Sequence, residues 1–439
     1  MKSFSLCDIL KESINFKTMN GKELAKELKE RGLIAQEGGG TVEDILKKKR
    51  KIYLGIDPTA DSIHVGNLVP IILMKHLYDH GHEPYLLVGG GTGLIGDPKD
   101  TEERPFSDLD TVALNTRKIK KQLAGILDKD DLVVFNNADW LTKVKMIDFL
   151  RDVGKHFTVN QLIKRDIIKR RLETEENSIS FTEFSYSLLQ AYDYMNLNEK
   201  YGIDLQVGGS DQWANIISGV DLIRRKKKKN VYALTVPIIT DKVTGKKFGK
   251  SEGNAVWLDP EKTSPFVFYQ FWINTSDENV EDYLKVFSFL SLSEIAEVMK
   301  RHKKEPHKRE AQKTLAREVT SFIHGVPVFD SVEKVSSIIY GGDLTGVFPL
   351  SKEDKKLILS EVPTLYLSKE DLKKKVSIAD VLVGAELVNS KTEARRILES
   401  GGVAVNGKTV DKDFLIEDKE FQEKLAFIKK GKKIAVLSI

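Results

Sequence analysis

The predicted fold is decided by residues 53–68, which read YLGIDPTADSIHVGNL. The first residues belong to an apolar run (52–56) with the character of a β-strand, and turn residues follow at 57–62. From 65 to 80, apolar side chains recur at helical spacing. Strand, loop and helix in this order predict an α/β unit in which His64, Gly66 and Asn67 lie at a helix N-terminus, where an anion is stabilised. For this turn alone, an ordinary strand-to-helix turn with a capping histidine is the favoured interpretation.

A second element lies far downstream, where residues 246–251 read KKFGKS. Three lysines around a glycine are suited to binding a polyphosphate. Alone, such a segment is more often a solvated surface loop. It does not fit the phosphate-binding loop of nucleotide hydrolases, because that pattern needs a glycine at position 244, which is Thr244.

Residues 181–196 predict a helix with an unusual polar stripe. Tyr186, Gln190 and Asp193 are spaced at i, i+4 and i+7 and therefore share one face. Three hydrogen-bonding side chains in line indicate the wall of a polar pocket. The alternative is a solvated helix face.

Residues 91–96 read GTGLIG and match the G-x-G-x-x-G pattern of dinucleotide-binding folds. That pattern requires a helix to open at once, but Pro98 disfavours helix at Asp97. A nicotinamide-dependent oxidoreductase is therefore the weakest of the functions considered.

Bulk composition narrows the class of protein. The chain has 439 residues, enough for two or three domains, and a formal net charge of only +4, so any RNA contact must use local basic patches. Cys7 is the single cysteine, which excludes an internal disulfide and a cysteine-based zinc site. Because no apolar stretch has the character of a signal peptide or a membrane span, we expect a cytoplasmic protein without membrane contact.

Taken together, the turn with His64, Gly66 and Asn67 and the lysine-rich segment 246–251 resemble the "HIGH" and "KMSKS" signatures of class I aminoacyl-tRNA synthetases. Three further segments narrow the resemblance to the bacterial type of tyrosyl-tRNA synthetase: VGGGTGLIGDP (88–98), FTEFSYSLLQAYD (181–193) and LQVGGSDQW (205–213). The resemblance runs over nearly the whole chain. It implies an α/β fold, with a Rossmann-like parallel-sheet catalytic domain, then a helical domain and a small α+β S4-like RNA-binding domain.

The resemblance also implies a domain order. We expect the catalytic domain at 1–240 with a dimer-interface insertion at about 105–175, a mobile lysine loop at 241–263, a helical anticodon-binding domain at 264–340, an irregular linker at 341–375 and the S4-like domain at 376–439. In the insertion, the candidates for a homodimer contact, or equally for the core, are Phe149, Val153, Phe157 and Leu162. In the last domain, Lys391, Arg395 and Arg396 are placed to contact RNA.

The implied reaction is activation of L-tyrosine by ATP to tyrosyl-adenylate and pyrophosphate, followed by transfer to tRNA(Tyr). The implied tyrosine ligands are Tyr53, Asp97, Tyr186, Gln190, Asp193 and Gln206, with Tyr53 and Asp193 recognising the phenol hydroxyl. The implied ATP ligands are Asp57, His64, Gly66, Asn67, Asp211, Gln212 and Lys250. The implied catalytic residues are Thr59, His64, Asn67, Lys247 and Lys250. Mg²⁺ is expected to arrive with the nucleotide, without a dedicated protein site.

The sequence departs from the family pattern in two respects. Asn67 stands where many members have histidine, and its amide N–H can donate the same hydrogen bond. Lys99 and Arg104 match only loosely the lysine and arginine that other members carry after Asp97. The alternatives that stay open are a tryptophanyl-tRNA synthetase, which shares both signatures, and an RNA-binding protein on a retained synthetase fold.

Overall fold

A computed structural model describes residues 19–97, 109–163, 168–169, 172, 179–251, 254–341, 344, 347–431 and 433–439. For Leu109, Lys250, Ser251 and Asn254 the description is limited to the backbone. Contacts between Cα atoms divide the chain into two compact units, one formed by residues 1–263 and 274–315 and the other by 264–273 and 316–439.

The first part of the chain alternates helices and strands. The helices are α1 (Gly21–Glu30), α2 (Val42–Ile45), α3 (Leu68–Asp79), α4 (Leu109–Leu127), α5 (Ala138–Leu141), α6 (Met146–Asp152), α7 (Val159–Leu162), α8 (Phe181–Tyr201) and α9 (Trp213–Lys227). The strands are β1 (Gln36–Gly38), β2 (Lys51–Ile56), β3 (Glu83–Val88), β4 (Val133–Asn136), β5 (Leu205–Gly209), β6 (Tyr232–Val236), β7 (Lys250–Ser251) and β8 (Asn254–Ala255).

The described residues of this unit form a six-stranded sheet in the order β1-β6-β5-β2-β3-β4, parallel except for β1. The central strands are almost continuous apolar runs, as expected for strands with both faces buried. The chain runs outward from β2 to β4 and then returns to β5 on the other side of β2. Ligands of open α/β sheets bind at such a switch point, beyond the carboxyl ends of the strands.

The predicted elements around the switch point are largely confirmed. The strand at Glu83–Val88 has the predicted bounds. The helix expected at 65–80 begins with a 3-10 turn at Val65–Asn67 and continues as α3. The polar helix continues beyond 196 to Tyr201 and ends at Gly202, whose φ of 70° favours glycine. At 91–96 only a 3-10 turn (Thr92–Leu94) forms, so the helix required by a dinucleotide-binding pattern does not open.

The second part of the chain is helical and then β-rich. Its helices are α10 (Pro265–Ile273), α11 (Asp277–Phe287), α12 (Leu292–Lys304), α13 (Glu310–His324), α14 (Val326–Ser336), α15 (Lys352–Glu361), α16 (Lys369–Lys373), α17 (Ile378–Gly384) and α18 (Lys391–Glu399). Its strands are β9 (Thr364–Tyr366), β10 (Val376–Ser377), β11 (Val403–Val405), β12 (Lys408–Thr409), β13 (Leu415–Ile416), β14 (Leu425–Lys430) and β15 (Lys433–Ser438).

In the second unit, five strands form a sheet in the order β12-β11-β14-β15-β9. An Asn-Gly hairpin joins β11 and β12: Asn406 and Gly407 both have positive φ, and Val405 pairs with Lys408. The apolar sides of α17 and α18 pack with this sheet around Ile378, Leu398 and Ile428.

The segment 341–375 differs from the expected irregular connection, because it contains α15, β9 and α16. Helix α15 is capped by Ser351 and Asp354 in a reciprocal capping box and buries Ile358. Strand β9 pairs in parallel with β15. Lysine-rich composition obscured this structure, although the spacing of Ser351 and Asp354 is a recognisable helix start.

The four apolar candidates of the insertion belong mainly to the core. Val153 and Leu162 are buried, and Phe149 and Phe157 pack against the buried cluster around Tyr53 and Tyr194. Five of the exposed apolar residues of the same region lie on or next to α6 and α7: Met146, Ile147, Leu150, Val159 and Ile163. Within the described residues, no helix is both long and apolar enough to cross a lipid bilayer.

Candidate active site

A cavity of about 420 Å³ lies beyond the carboxyl ends of β2 and β5. Most of the predicted site residues line this cavity: Tyr53, Asp57, Thr59, His64, Gly66, Asn67, Asp97, Tyr186, Gln190, Asp193, Gln206, Asp211, Gln212 and Lys247. Lys250 lies in β7 and is described by its backbone alone. Lys99 and Arg104 lie outside the described residues.

Tyr53 and Asp193 are buried residues of the cavity wall. Strand β2 places Tyr53 next to Gln206 of β5, and both side chains are buried. The hydroxyl of Tyr53 has no hydrogen-bond partner among the described residues, and neither has Oε1 of Gln206. Buried polar atoms are seldom left unpaired, so these two groups are available to a ligand that enters the cavity.

Asp193 is held by two donors that the sequence did not reveal. Asn137 Nδ2 donates to Oδ2 at 2.9 Å, and Trp140 Nε1 donates to Oδ1 at 2.7 Å. Burial raises the pKa of Asp193 to about 7, although both hydrogen bonds act in the opposite direction. The carboxyl group is therefore poised to accept a further hydrogen bond from a ligand.

Asn137 also fixes the glycine-rich loop after β3. Its Oδ1 accepts the N–H of Gly91 at 2.7 Å, and its Nδ2 also donates to Thr92 Oγ1 at 2.9 Å. One asparagine thus links this loop to Asp193. In the sequence, two consecutive asparagines are only a weak indication of a functional site. Trp140 could not be distinguished from an ordinary core residue.

A second group of polar side chains surrounds Asp57 and Tyr186. The Tyr186 hydroxyl donates to Asp57 Oδ2 at 3.0 Å, and Thr92 Oγ1 donates to Oδ1 at 3.2 Å. Burial, with the nearby charge of Asp57, raises the pKa of Tyr186 well above its ordinary value. Gly89 is required beside this group, because a Cβ there would lie 2.0 Å from Asp57 Oδ1.

Asp97 belongs to a separate network with residues that follow β5. Its carboxylate accepts from Gln212 Nε2 at 2.8 Å and from Asn215 Nδ2 at 3.1 Å. Asn215 was missed by the sequence analysis, and its position one turn into α9 gave no separate signal. A carboxylate oriented by two amides presents fixed negative charge to the cavity.

The 3-10 turn at Val65–Asn67 is capped by His64. Nδ1 of His64 accepts the N–H of Gly66 at 3.0 Å, so in the neutral ring the proton lies on Nε2. The sequence prediction of a capping histidine is confirmed. Helix α4 holds the preceding loop, since Asn115 Nδ2 donates to the carbonyl of Pro58 and Gln122 Oε1 accepts from the N–H of Ile63, both at 2.9 Å.

The lysine-rich segment lies directly against this turn. A Cβ on Gly249 would lie 2.8 Å from the Gly66 nitrogen, so the two backbones are in close contact. The N–H of Val65 donates to the carbonyl of Val256 at 2.9 Å, and the rings of His64 and Trp257 pack edge to face at 5.9 Å. The turn and the lysine-rich segment are therefore in contact, and residues of both line the same cavity.

No cluster of three or more His, Cys, Asp or Glu side chains with the geometry of a metal site occurs among the residues that are described. The predicted chemistry does not require one.

Comparison with known proteins agrees with this geometry. Residues 46–341 match the tRNA synthetases of class I (W and Y), and residues 354–437 match the Tyrosine--tRNA ligase SYY-like C-terminal domain. Tyrosine--tRNA ligase 2 of Enterococcus faecalis is 45% identical over 93% of this chain and 97% of its own. For Tyrosine--tRNA ligase of Roseiflexus castenholzii, the identity is 46% over 87% of this chain and 90% of the relative.

A solved structure shows the same fold. The C-terminally truncated mitochondrial tyrosyl-tRNA synthetase of Aspergillus nidulans superposes with a TM-score of 0.64 and 30% identity, covering 75% of this chain and 97% of that one. With a class I match over most of its length and about 45% identity to bacterial relatives, the chain belongs to the tyrosyl-tRNA synthetases of class I.

Proposed function

We propose that this chain activates L-tyrosine with ATP and transfers it to tRNA(Tyr). The observation that carries the proposal is the pair formed by Tyr53 and Asp193, which are buried side by side in the cavity wall, near enough for the charge of Asp193 to act on the Tyr53 hydroxyl. A phenol hydroxyl there donates to Asp193 and accepts from Tyr53. An indole offers only a donor and leaves the Tyr53 hydroxyl unpaired.

The amino acid is oriented by the polar groups nearer the cavity mouth. Asp97 supplies a carboxylate for the ammonium group, and Tyr186 and Gln190 of α8 are its neutral partners. Gln206 Oε1, which is buried without a partner among the described residues, accepts a further N–H from the ligand. This arrangement directs the tyrosine carboxylate toward the turn at Val65–Asn67.

ATP occupies the other part of the cavity in our proposal. Asp211, Gln212 and Asp57 bind the nucleoside part, while Gly66 gives the phosphates access to backbone N–H groups. The tyrosine carboxylate attacks the α-phosphorus in line, the bond to the β-phosphate oxygen breaks, and pyrophosphate leaves. No general base is needed, because the nucleophile is already anionic. Catalysis is therefore positioning together with stabilisation of phosphate charge.

The charge on the leaving pyrophosphate is stabilised from two sides. Thr59 and Asn67 line the cavity together with His64, whose Nδ1 accepts the N–H of Gly66, so that in the neutral ring Nε2 carries the proton. Lys247 lies on the opposing segment, and Lys250 follows the glycine that touches Gly66. Mg²⁺ enters with the nucleotide in this proposal and supplies further screening of the phosphate charge.

The second unit contacts tRNA in our proposal. Lys391, Arg395 and Arg396 of α18 are exposed, while Ala394 and Leu398 hold the opposite side of the helix in the core. Exposed cations on a rigid helix suit recognition of RNA phosphates. We also propose a homodimer in the cytosol, built on the exposed apolar residues of α6 and α7.

The test is exchange of labelled pyrophosphate into ATP, measured with tyrosine and with tryptophan in turn. We expect exchange that depends on tyrosine, and loss of that exchange in Asp193→Ala with little change in ATP binding, because the substituted residue lies at the phenol end. A tryptophan-dependent exchange, or unchanged tyrosine dependence in the variant, would contradict the assignment of this pocket.

A further inference from the structure

The segment that carries Lys247 is a β-hairpin, formed by residues 239–248, which we term the first hairpin. The N–H of Phe248 donates to the carbonyl of Ile239, and that of Asp241 donates to the carbonyl of Lys246, both at 2.9 Å. An antiparallel bridge joins Thr240 and Lys247 between them. The position of Lys247 at the cavity therefore depends on what holds this hairpin.

Asp241 organises the turn of the first hairpin. Its Oδ1 accepts the N–H groups of Thr244 at 2.7 Å and of Val243 at 3.0 Å, and its carbonyl accepts the N–H of Gly245 at 2.8 Å. The hydrogen bond from the Thr244 backbone lowers the pKa of Asp241 below its ordinary value. At neutral pH this residue is a carboxylate, and Oδ2 remains directed away from the turn.

Asn279, in the first turn of α11, binds the outer side of that turn. Its Nδ2 donates to Asp241 Oδ2 at 2.9 Å and to Ser276 Oγ at 3.0 Å, and its Oδ1 accepts the N–H of Lys242 at 3.0 Å. The residue is only 1% exposed. The buried amide of Asn279 therefore uses both its donor and its acceptor to bind the same turn. These hydrogen bonds hold the turn of the hairpin on α11.

The same helix also holds the other end of the first hairpin. Phe248 is buried against the rings of Tyr283 and Phe287, with centroids 5.0 Å away in each case. The next residue, Gly249, lies on Gly66. Helix α11 therefore contacts the hairpin at its turn and at its base. The second of the proposed phosphate-binding lysines follows soon after the end of the hairpin.

We propose that Asp241 and Asn279 are positioning residues for tyrosine activation, which hold the first hairpin on α11 so that Lys247 reaches the leaving phosphates. This inference rests on the proposed function, because it assumes the role given to Lys247. Neither residue lines the cavity, so both act through the hairpin.

The side chains of Asp241 and Asn279 can be exchanged between the two positions by a double substitution. Asn279→Asp places a carboxylate against Asp241, and Asp241→Asn places an amide N–H against the Asn279 amide, so each single variant breaks the contact. In the double variant Asp241→Asn/Asn279→Asp, the amide on 241 donates to the carboxylate on 279. The latter still accepts from Lys242 and now also from the Ser276 hydroxyl, with the net charge unchanged.

The experiment is ATP–pyrophosphate exchange with tyrosine, measured for wild type, both single variants and the double variant, together with the melting temperature of each. We expect each single variant to lose about tenfold in kcat, within the range of coupling found for contacting pairs. The KM for tyrosine should stay unchanged, since its proposed ligands lie on β2, β5, α8 and the loop after β3. The double variant should recover most of the loss.

A matched control is Asp282→Asn. Asp282 forms an ion pair of 2.6 Å with Lys242, on the same helix and the same hairpin, but both side chains are about half exposed. Exposed pairs contribute little, so we expect exchange close to wild type.

Three results would overturn the inference: single variants with wild-type kcat, a double variant whose loss is the product of the two single losses, or a rise in the KM for tyrosine that parallels the loss of kcat. The double variant keeps the test valid if a single variant fails to fold. If wild type itself shows no tyrosine-dependent exchange, the proposed function fails instead.

Discussion

Asp193 illustrates how one residue can oppose stability in order to bind a ligand. Its carboxyl group is buried and accepts hydrogen bonds from Asn137 and Trp140. These two bonds do not replace all the hydrogen bonds that the group would have in water. Burial therefore raises its pKa from 3.8 to about 7. In the proposed function, a hydroxyl of the substrate supplies the hydrogen bond that the free protein lacks.

The free-energy cost of burying the Asp193 carboxylate predicts that Asp193→Asn is more stable than wild type, by an amount that depends on pH. The folded pKa exceeds the unfolded one, so the folded state binds the proton more tightly and wild-type stability falls as pH rises from about 4 to about 7. Above pH 7 both states are ionised and the penalty is constant. The variant carries no such charge, so its advantage should grow over this range toward an upper limit on the order of 4 kcal/mol.

The measurement is the free energy of unfolding in urea at pH 5, 6, 7 and 8 for the two proteins. Asp79→Asn is the comparison, since Asp79 also has a raised pKa from burial but is paired with Lys75. A difference between wild type and Asp193→Asn that is the same at all four pH values would contradict the pKa given for Asp193.

Sequence reasoning reached Tyr53 and Asp193 but not the residues that orient Asp193. Polar side chains on one helix face are visible in a sequence because helical spacing is local. Asn137 and Trp140 come from a separate segment after β4, and they reach Asp193 only because β4 lies next to β3 in the sheet. Contacts made by tertiary packing leave no periodic pattern to read.

At the scale of secondary-structure elements, activation depends on two backbones that touch. The turn at Val65–Asn67 and the segment after the first hairpin meet at Gly66 and Gly249, where neither residue has a side chain. In the proposed function, this contact brings the positive end of a helix and a lysine-bearing strand to the same phosphates. The glycine at 249 also has a φ of 95°, which L-residues rarely adopt.

Gly249→Ala should therefore separate the two elements. Its Cβ would lie 2.8 Å from the nitrogen of Gly66, and backbone atoms at that distance must move. We expect kcat for tyrosine activation to fall by about tenfold or more, given that a 1.36 kcal/mol loss of transition-state stabilisation is tenfold in rate. Binding of tyrosine alone, followed by equilibrium dialysis, should be unaffected.

Gly245→Ala is the matched control for that variant. Gly245 lies in the turn of the first hairpin and has a φ of 68°, but a Cβ there would meet no described atom within 4 Å. It shares the conformational strain and lacks the contact. Equal losses of kcat in the two variants would show that strain, and not the approach to Gly66, limits the reaction.

The elements themselves were predictable where a single period or a capping pattern dominates. Strand β3, helix α8 and the Asn-Gly hairpin follow from local signals. The structure of 341–375 was not foreseen, because β9 is three residues long and is defined by pairing with β15 some seventy positions later. Short edge strands carry too few residues to show alternation.

At the scale of the whole molecule, the exposed apolar residues of the insertion are too concentrated for an ordinary surface. Met146 and Ile147 are 71% and 67% exposed, and Leu150 follows one turn later on the same helix. Large apolar side chains grouped in this way mark interaction surfaces. A second copy of the chain would cover them in the proposed homodimer.

Ile147→Glu should therefore shift the chain from dimer to monomer, because a charge in the centre of an apolar contact must be desolvated without a partner. Sedimentation velocity at micromolar concentration measures the shift. Val267→Glu, on α10, replaces an apolar side chain that is 48% exposed outside the insertion and should leave the mass unchanged. A wild-type chain that sediments as a monomer would remove the basis for the homodimer.

The strand order of the catalytic sheet has a consequence for biosynthesis. Gln36 of β1 pairs with Thr235 of β6, which is synthesised 199 residues later. The N–H of Val65, at the start of the turn, donates to the carbonyl of Val256, which is later still in the chain. A polypeptide still attached to the ribosome cannot close this sheet until β6 has left the exit tunnel, since pairings so distant in sequence form late. Amino-acid binding thus begins only after more than half of translation is complete.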